Sequence, residues 1–259
     1  NFHFFATAVL HYASESHNMT GVGVNYTLRK PIGIVGCISP WNLPLYLFSW
    51  KIAPALAFGN AVIWKPANLT PASAVLLTEI IAKQDIPAGL FNLVMGAGAS
   101  VGEKLINSVG IDAISFTGSL AVGKRVAVAA AGNLTKFQLE MGSKNALVVL
   151  DDADLDNAAD CAVNGAFGGS GQKCTASSRL IVTAGVHDEF VAKVQERMAK
   201  LKVGGALEEG VTIGPAADAK QFAQNKEYFK LAQDEGGQLV CGGEFDDSKG
   251  YFMTPALFI

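Results

Sequence analysis

The sequence predicts an α/β fold with a parallel, Rossmann-like sheet, and three observations carry that prediction. Short β-branched apolar runs alternate with amphipathic helical stretches across short connections. Glycine-rich turns stand between a predicted strand and a predicted helix at 96–102 and 116–123. Finally, 259 residues with 50% hydrophobic and 17% charged side chains supply a substantial core, enough for two domains, and exclude a disordered chain.

Taken in order, Phe2 to His17 is helix-like and lacks a basic segment of the kind that opens a signal peptide. Pro31 to Trp50 is uncharged and long enough to span a membrane, but Pro31, Pro40, Pro44, Gly33 and Gly36 break it, so it is expected as a buried strand plus loop. Strands are expected at 32–35 and 61–64, and Thr70-Pro71 starts a helix running to about Lys83. A strand at 91–95, a helix at 100–107, a strand at 113–116 and a helix at 119–131 follow, then strands at 137–139 and 147–150. The second half alternates less regularly, with helices at 154–165, 187–201 and 216–233 and strands at 179–183 and 238–241. No internal repeat and no low-complexity linker interrupts this order.

Composition narrows the function classes. With 20 basic against 23 acidic residues and a net charge of −3, the chain carries no electrostatic footprint for nucleic acid or an anionic membrane. Cys37, Cys161, Cys174 and Cys241 show neither CxxC pairing nor repeated spacing, the pattern of reduced thiols in an intracellular protein. His3, His11, His17 and His187 form no metal-ligand spacing with them, so no metal is expected. Asn1 is not an initiator methionine, and Leu257-Phe258-Ile259 resembles the middle of a buried strand. A piece of a longer polypeptide, truncated at both ends, is the expectation.

Chemistry concentrates at a few places. Gly96-Ala97-Gly98-Ala99-Ser100-Val101-Gly102 has the strand-to-helix context of a dinucleotide turn, but its GxGxxxG spacing is one residue long and no acidic residue follows at the expected distance. It is equally an ordinary glycine-rich βα turn. The turn Phe116-Thr117-Gly118-Ser119 leading to Val122 adds a second set of N–H donors and a hydroxyl at a helix start, which makes a nucleotide more plausible than either turn alone. A GxSxG elbow is absent, because Gln172 follows Gly171. Cys37 and Cys161 on apolar faces and Cys241 at a strand end are expected as small core hydrophobes. Cys174, after a glycine-rich loop and beside Lys173, suits a thiolate nucleophile as readily as a structural thiol. Glu140, between Leu139 and Met141, is the available general base, in a setting expected to be apolar; capping a loop is its alternative role.

Pro40-Trp41-Asn42-Leu43-Pro44, Lys65-Pro66-Ala67, Phe116-Thr117-Gly118-Ser119, Leu139-Glu140-Met141-Gly142 and Gly171-Gln172-Lys173-Cys174 stand in one order across nearly the whole chain. In residues, order and spacing they resemble the NAD(P)-dependent aldehyde dehydrogenase superfamily. The resemblance implies that Cys174 attacks an aldehyde, that the Asn42 amide and the Cys174 backbone N–H hold the oxyanion, and that Glu140 activates water against the resulting thioester. It places Lys65 on the adenosine ribose, Ser119 on a phosphate and the Gly98 to Gly102 turn on the adenine side of NAD or NADP. Ile38, Pro40, Trp41 and Val122 are expected to line that pocket, with Phe116, Thr117, Gly118, Met141 and Gly142 also in the cofactor set.

Two positions depart from the family pattern. Asn68 stands where many NAD-preferring members carry glutamate, which implies acceptance of NADP alongside NAD. Ser143 follows Met141-Gly142 where glycine is commoner. Residues 1 to about 70 are similar to muconic semialdehyde dehydrogenases and the Cys174 flank to bacterial α-ketoglutaric semialdehyde dehydrogenases, so a small carboxylated semialdehyde is the implied substrate class. A CoA-acylating dehydrogenase and a non-catalytic protein that keeps the fold are the alternatives. The resemblance further implies a partial NAD(P)-binding domain at 1–141, a partial catalytic domain at 142–259 with the active site between them, a cytoplasmic homodimer or homotetramer, and no nucleic-acid or membrane partner.

Overall fold

The computed structural model describes residues 1–142 and 144–259, and Ser143 and its family departure lie outside the described residues. The chain divides into two compact units, Asn1–Met141 and Gly142–Ile259. In the first, helix α1 (Phe2–Ala8) and a single 3₁₀ turn precede a hairpin of β1 (Ser16–Met19) and β2 (Gly23–Tyr26). Then come β3 (Ile34–Ile38), α2 (Pro44–Ala57), β4 (Ala61–Lys65), α3 (Pro71–Ala82), β5 (Phe91–Leu93), α4 (Glu103–Ile106), β6 (Ala113–Gly118), α5 (Leu120–Gly132) and β7 (Lys136–Met141).

The five later strands form one parallel sheet in the order β5-β4-β3-β6-β7. From β3 the chain winds outward through β4 and β5, then crosses back to place β6 and β7 on the other side. Strand order therefore reverses between β3 and β6, the topological switch point at which open α/β sheets bind ligands.

Pleating splits the sheet residues between two cores. Val35, Cys37, Val62, Trp64 and Ala113 pack with Phe48 and Ile52 of α2 and Ala74 of α3. Ile114 and Phe116, with Ile38, Ile63, Leu139 and Met141, pack on Leu105 and Ile106 of α4 and Val126 and Ala130 of α5. Such two-sided burial explains the near-continuous apolar runs of the parallel strands. Trp64 is 1% exposed, and its Nε1 donates to Ser39 Oγ at 2.9 Å, so the indole is satisfied as well as buried.

The second unit contains β8 (Asn145–Val149), α6 (Leu155–Phe167), β9 (Ser177–Val182), α7 (His187–Met198), α8 (Ala219–Asp234), β10 (Leu239–Cys241), β11 (Phe245–Asp246), β12 (Phe252–Met253) and β13 (Leu257–Phe258). Strands β8 and β9 pair in parallel, whereas β10 with β13 and β11 with β12 are antiparallel. Asp154 caps α6 by accepting from the N–H groups of Asp156 and Asn157. The core joins Val149, Ala159, Ala162, Val163, Phe190, Val194 and Met198. Lys193 and Arg197 of α7 bond Asp156, and Arg197 also bonds Asp160, tying α7 to α6 at its edge.

Several sequence expectations are corrected. The opening helix stops at Ala8 and strand β1 occupies part of the stretch assigned to it. The expected loop after Asn42 is the 14-residue helix α2, which accepts Pro44 at a position needing no N–H. The helix expected at 100–107 is a π turn, Gly98–Gly102, running into the four residues of α4. Cys161 is exposed, because the buried stripe of α6 is Ala159, Ala162 and Val163, a spacing that leaves residue 161 off the face. Cys37 is buried as expected, with its thiol pushed up to about 12 by desolvation against the opposing pull of Lys51. No helix among the described residues is long and apolar enough to cross a membrane.

Candidate active site

In the first unit the sequence-selected residues gather at the carboxyl ends of the parallel strands. Ile38 ends β3 in register with Lys65 at the end of β4 and with Phe116 near the end of β6. Thr117 and Gly118 of β6 lie beside Glu140 and Met141 of β7. Pro40, Trp41 and Asn42 follow β3 and are half-buried, and Ser119 follows β6. Both segments thus leave the two strands that flank the switch point. Ser119 caps α5, its Oγ accepting from the Val122 N–H at 3.4 Å, and Val122 is exposed on the first turn.

The residues present fit a nucleotide. Lys65 is only 6% exposed, its Nζ donates to the Pro66 carbonyl at 2.9 Å, and no carboxylate pairs with it among the described residues. Burial holds this ammonium below the ordinary lysine range. A lysine has three donors, so acceptor oxygens such as ribose hydroxyls suit it. Gly102 is buried against this side chain, a methyl group there lying 4.0 Å from Lys65 Cε, while Gly98 is exposed with open space where a side chain would project. Lys65 and Gly102 of the 98–102 turn are therefore neighbours, with exposed Asn68 just beyond the end of β4.

Alternation along β7 decides where Glu140 points. Leu139 and Met141 pack into the α4 and α5 core, so Gln138 and Glu140 project to the opposite side, the α2 side. The apolar setting expected from the sequence neighbours is not found: Glu140 is exposed, and its Oε1 accepts from Gln138 Nε2 at 2.9 Å. Met141 Sδ abuts Gly123 of α5, and Gly142 is exposed. Behind Gln138, Lys51 of α2 donates to Ser115 Oγ at 2.9 Å, and Ser115 Oγ donates to Gln138 Oε1 at 2.8 Å. Lys51 is 7% exposed, and desolvation pushes it down to about 8 against the smaller opposing pulls of Cys37 and Glu140. Sequence reasoning passed over Lys51, Ser115 and Gln138; the available signal was a polar residue two positions before Glu140, on the same face of a strand.

In the second unit Cys174 lies between the 3₁₀ turn Gly168–Gly171 and β9 and is half-buried. The backbone before it is unusual, with φ of +65° at Gly169, +59° at Ser170 and +67° at Gly171. Two of these positions use glycine for a left-handed conformation, whereas Ser170 bears its cost. Three side chains hold the segment in place. Ser170 Oγ accepts from the Gly214 N–H at 2.8 Å. Gln172 accepts from the Ala217 N–H at 2.8 Å and donates to the Pro215 carbonyl at 3.2 Å. Asn145 Nδ2 donates to the carbonyls of Cys174 at 2.7 Å and Ala176 at 3.1 Å. The Lys173 side chain folds back on the turn, a methyl group at Gly168 lying 3.3 Å from its Nζ. Among the described residues no cluster of three or more His, Cys, Asp or Glu could hold a metal ion.

A doubly wound parallel sheet with helices on both faces defines the first unit as a Rossmann-like α/β unit. The chain as a whole belongs to the aldehyde dehydrogenase family, whose sequence profile matches residues 1–259. It is 41% identical over 260 residues to an alpha-ketoglutaric semialdehyde dehydrogenase of Bacillus subtilis, covering 96% of this chain and 53% of that protein. It is 39% identical over 265 residues to a 2-aminomuconic semialdehyde dehydrogenase of Homo sapiens, covering 99% and 54%. Among solved structures, a betaine aldehyde dehydrogenase of Staphylococcus aureus in complex with NAD+ superposes with a TM-score of 0.94 at 33% identity, covering 98% of this chain and 52% of that one. The chain spans about half the length of the curated relatives it matches.

Proposed function

We propose that the protein carrying this sequence oxidises an aldehyde to a carboxylic acid with NAD+ or NADP+, through a covalent intermediate on Cys174. The Cys174 thiolate adds to the aldehyde carbon, and the new oxyanion accepts hydrogen bonds from the Asn42 side-chain amide and the Cys174 backbone N–H. When bound, the nicotinamide supplies the acceptor for the hydride that leaves this carbon, which becomes a thioester carbonyl. Glu140 then takes a proton from water as the water oxygen adds to that carbonyl. The carbon–sulfur bond breaks, the thiolate is restored and the acid departs; the sum consumes aldehyde, oxidised cofactor and water and yields acid, reduced cofactor and a proton.

The observation that carries this reading is local. The asparagine of the family motifs follows β3 and the glutamate stands near the end of β7, both at the carboxyl edge of one parallel sheet. Lys65, Asn68, Gly98, Gly102, Ser119 and Val122, with Ile38, Pro40, Trp41, Phe116, Thr117, Gly118, Met141 and Gly142, are the proposed cofactor residues. The names of the two semialdehyde dehydrogenases favour a small carboxylated semialdehyde as substrate. The remaining parts of the reading are a nucleotide-binding role for 1–141, a catalytic role for 142–259, a cytoplasmic homodimer or homotetramer, and small molecules rather than nucleic acid or membrane as partners.

An aldehyde panel with each cofactor, followed by absorbance of the reduced nicotinamide, tests the proposal. Reduced cofactor forms and free acid accumulates without CoA, and Cys174→Ala abolishes both. Acid release only as an acyl-CoA gives the family's acylating chemistry instead, and labelling of Cys174 by an electrophile without turnover on any aldehyde overturns the enzymatic reading.

A further inference from the structure

We propose that Gln138 is a positioning residue for Glu140, holding one carboxylate oxygen and leaving the other to take the proton of the attacking water. The inference rests on the hydrolytic reading above and adds a residue to it.

Lys51 can only donate, and its Nζ reaches Ser115 Oγ at 2.9 Å. The Ser115 hydroxyl, having accepted, sends its proton to Gln138 Oε1 at 2.8 Å. With its carbonyl engaged, Gln138 presents its amide N–H to Glu140 Oε1 at 2.9 Å. The Gln138 amide orientation is thus set by a buried cation two links away, since a flipped amide would face the Ser115 proton with N–H donors. Strand geometry supplies the alignment. Cys37, Ser115 and Gln138 stand in one row across β3, β6 and β7, and Glu140 follows Gln138 on the same face. An unanchored Gln and Glu two apart on an exposed strand would sample several rotamers; here one end is fixed by Lys51, which is 7% exposed.

The test separates the two halves of the reaction. In Gln138→Met, which keeps length and loses the amide, the first turnover of reduced nicotinamide persists with full amplitude, while the steady-state rate falls about tenfold, the loss of one hydrogen bond to a charged group. KM for the aldehyde falls by about the same factor, because kcat/KM is set by the steps up to the thioester. Ser115→Ala, which frees the Gln138 amide to rotate, moves the steady state in the same direction by less. Equal loss of first turnover and steady state, or no loss in either variant, overturns the proposal. If the parent reduces no cofactor with any aldehyde, the proposed function fails, and the tether is read separately from the Gln138 side-chain amide resonances in ¹⁵N-labelled protein. A shift of those resonances on Glu140→Ala upholds the tether, and their indifference removes it.

Discussion

Replacing Lys51 with methionine should stabilise the first unit near neutral pH and abolish its gain in stability above pH 8, leaving the decline due to Cys37 to set in from about pH 9. Burial lowers this ammonium from the ordinary 10.5 to about 8, which corresponds to about 3 kcal/mol of unfavourable free energy for carrying the charge inside. Below pH 8 the lysine is protonated in both folded and unfolded chains, so the whole cost is present. Between 8 and 10.5 the unfolded chain holds one proton more than the folded chain, and stability rises with pH, by at most about 1.4 kcal/mol per pH unit. Cys37 then acts in the opposite sense. Its thiol is raised from 9.0 to about 12, so above 9 the unfolded chain loses a proton that the folded one keeps, and stability falls. The contributions of these two groups should therefore rise from 8 to 9, level between 9 and 10.5, and decline beyond. Lys51→Met removes the rise and gains about 1–3 kcal/mol near neutrality, after allowance for the lost bond to Ser115. Cys37→Ala turns the plateau into a continued rise. Urea unfolding followed by tryptophan fluorescence is the assay, because Trp41, Trp50 and Trp64 all lie in the first unit. A Lys51→Met protein less stable than its parent near neutrality, with a parallel pH profile, refutes the reasoning.

Three further outcomes are expected. Asn145→Ala removes two bonds that hold the Cys174 segment and should cost about 2–4 kcal/mol in thermal unfolding of the second unit; Asn145→Asp, which turns an anion toward two carbonyls, should be worse, and equal tolerance of Asp and Asn would sink the hydrogen-bond account. Gly171→Ala combines a φ of +67° with a methyl group 2.9 Å from the Ala166 carbonyl oxygen, so a loss of about 2 kcal/mol or more and slower labelling of Cys174 by an electrophile are expected. Asn68→Glu should raise the NAD-to-NADP ratio of kcat/KM by about tenfold or more through repulsion of a 2′-phosphate, and an unchanged ratio would remove Asn68 from cofactor choice.

The parallel sheet was legible because strands buried on both faces leave apolar runs that no exposed segment imitates, and the βα alternation came with it. Helix α2 was not legible. Its prolines at 44 and 54 look like loop residues until one sees that the first sits where a helix needs no N–H and the second lies in the last turn. The hairpin β1–β2 escaped because every residue in it is exposed, so no in-and-out alternation marks it. Motif order is what puts Asn42, Glu140 and Cys174 forward as the proposed catalytic residues, and it says nothing of their surroundings. The sequence neighbours of Glu140 are apolar, yet on a strand the adjacent residues face away, and its real neighbour is Gln138. Asn145 is 29 positions from Cys174, and nothing in the spacing announces that one amide will hold the carbonyls on both sides of Thr175.

Strand β7 also limits how this protein can change. Its last residues fall alternately on the two sides of the sheet, so the strand works as a thin partition with the proposed base on one side and Met141, seated against Gly123, on the other. A partition one residue thick cannot be adjusted on a single side. A larger residue at 123, or a different one at 141, displaces the same backbone that carries Glu140. Variants selected for altered cofactor binding through these positions should therefore arrive with altered hydrolysis, and second substitutions that restore turnover should fall on the α2 side, at Gln138, Ser115 or Lys51.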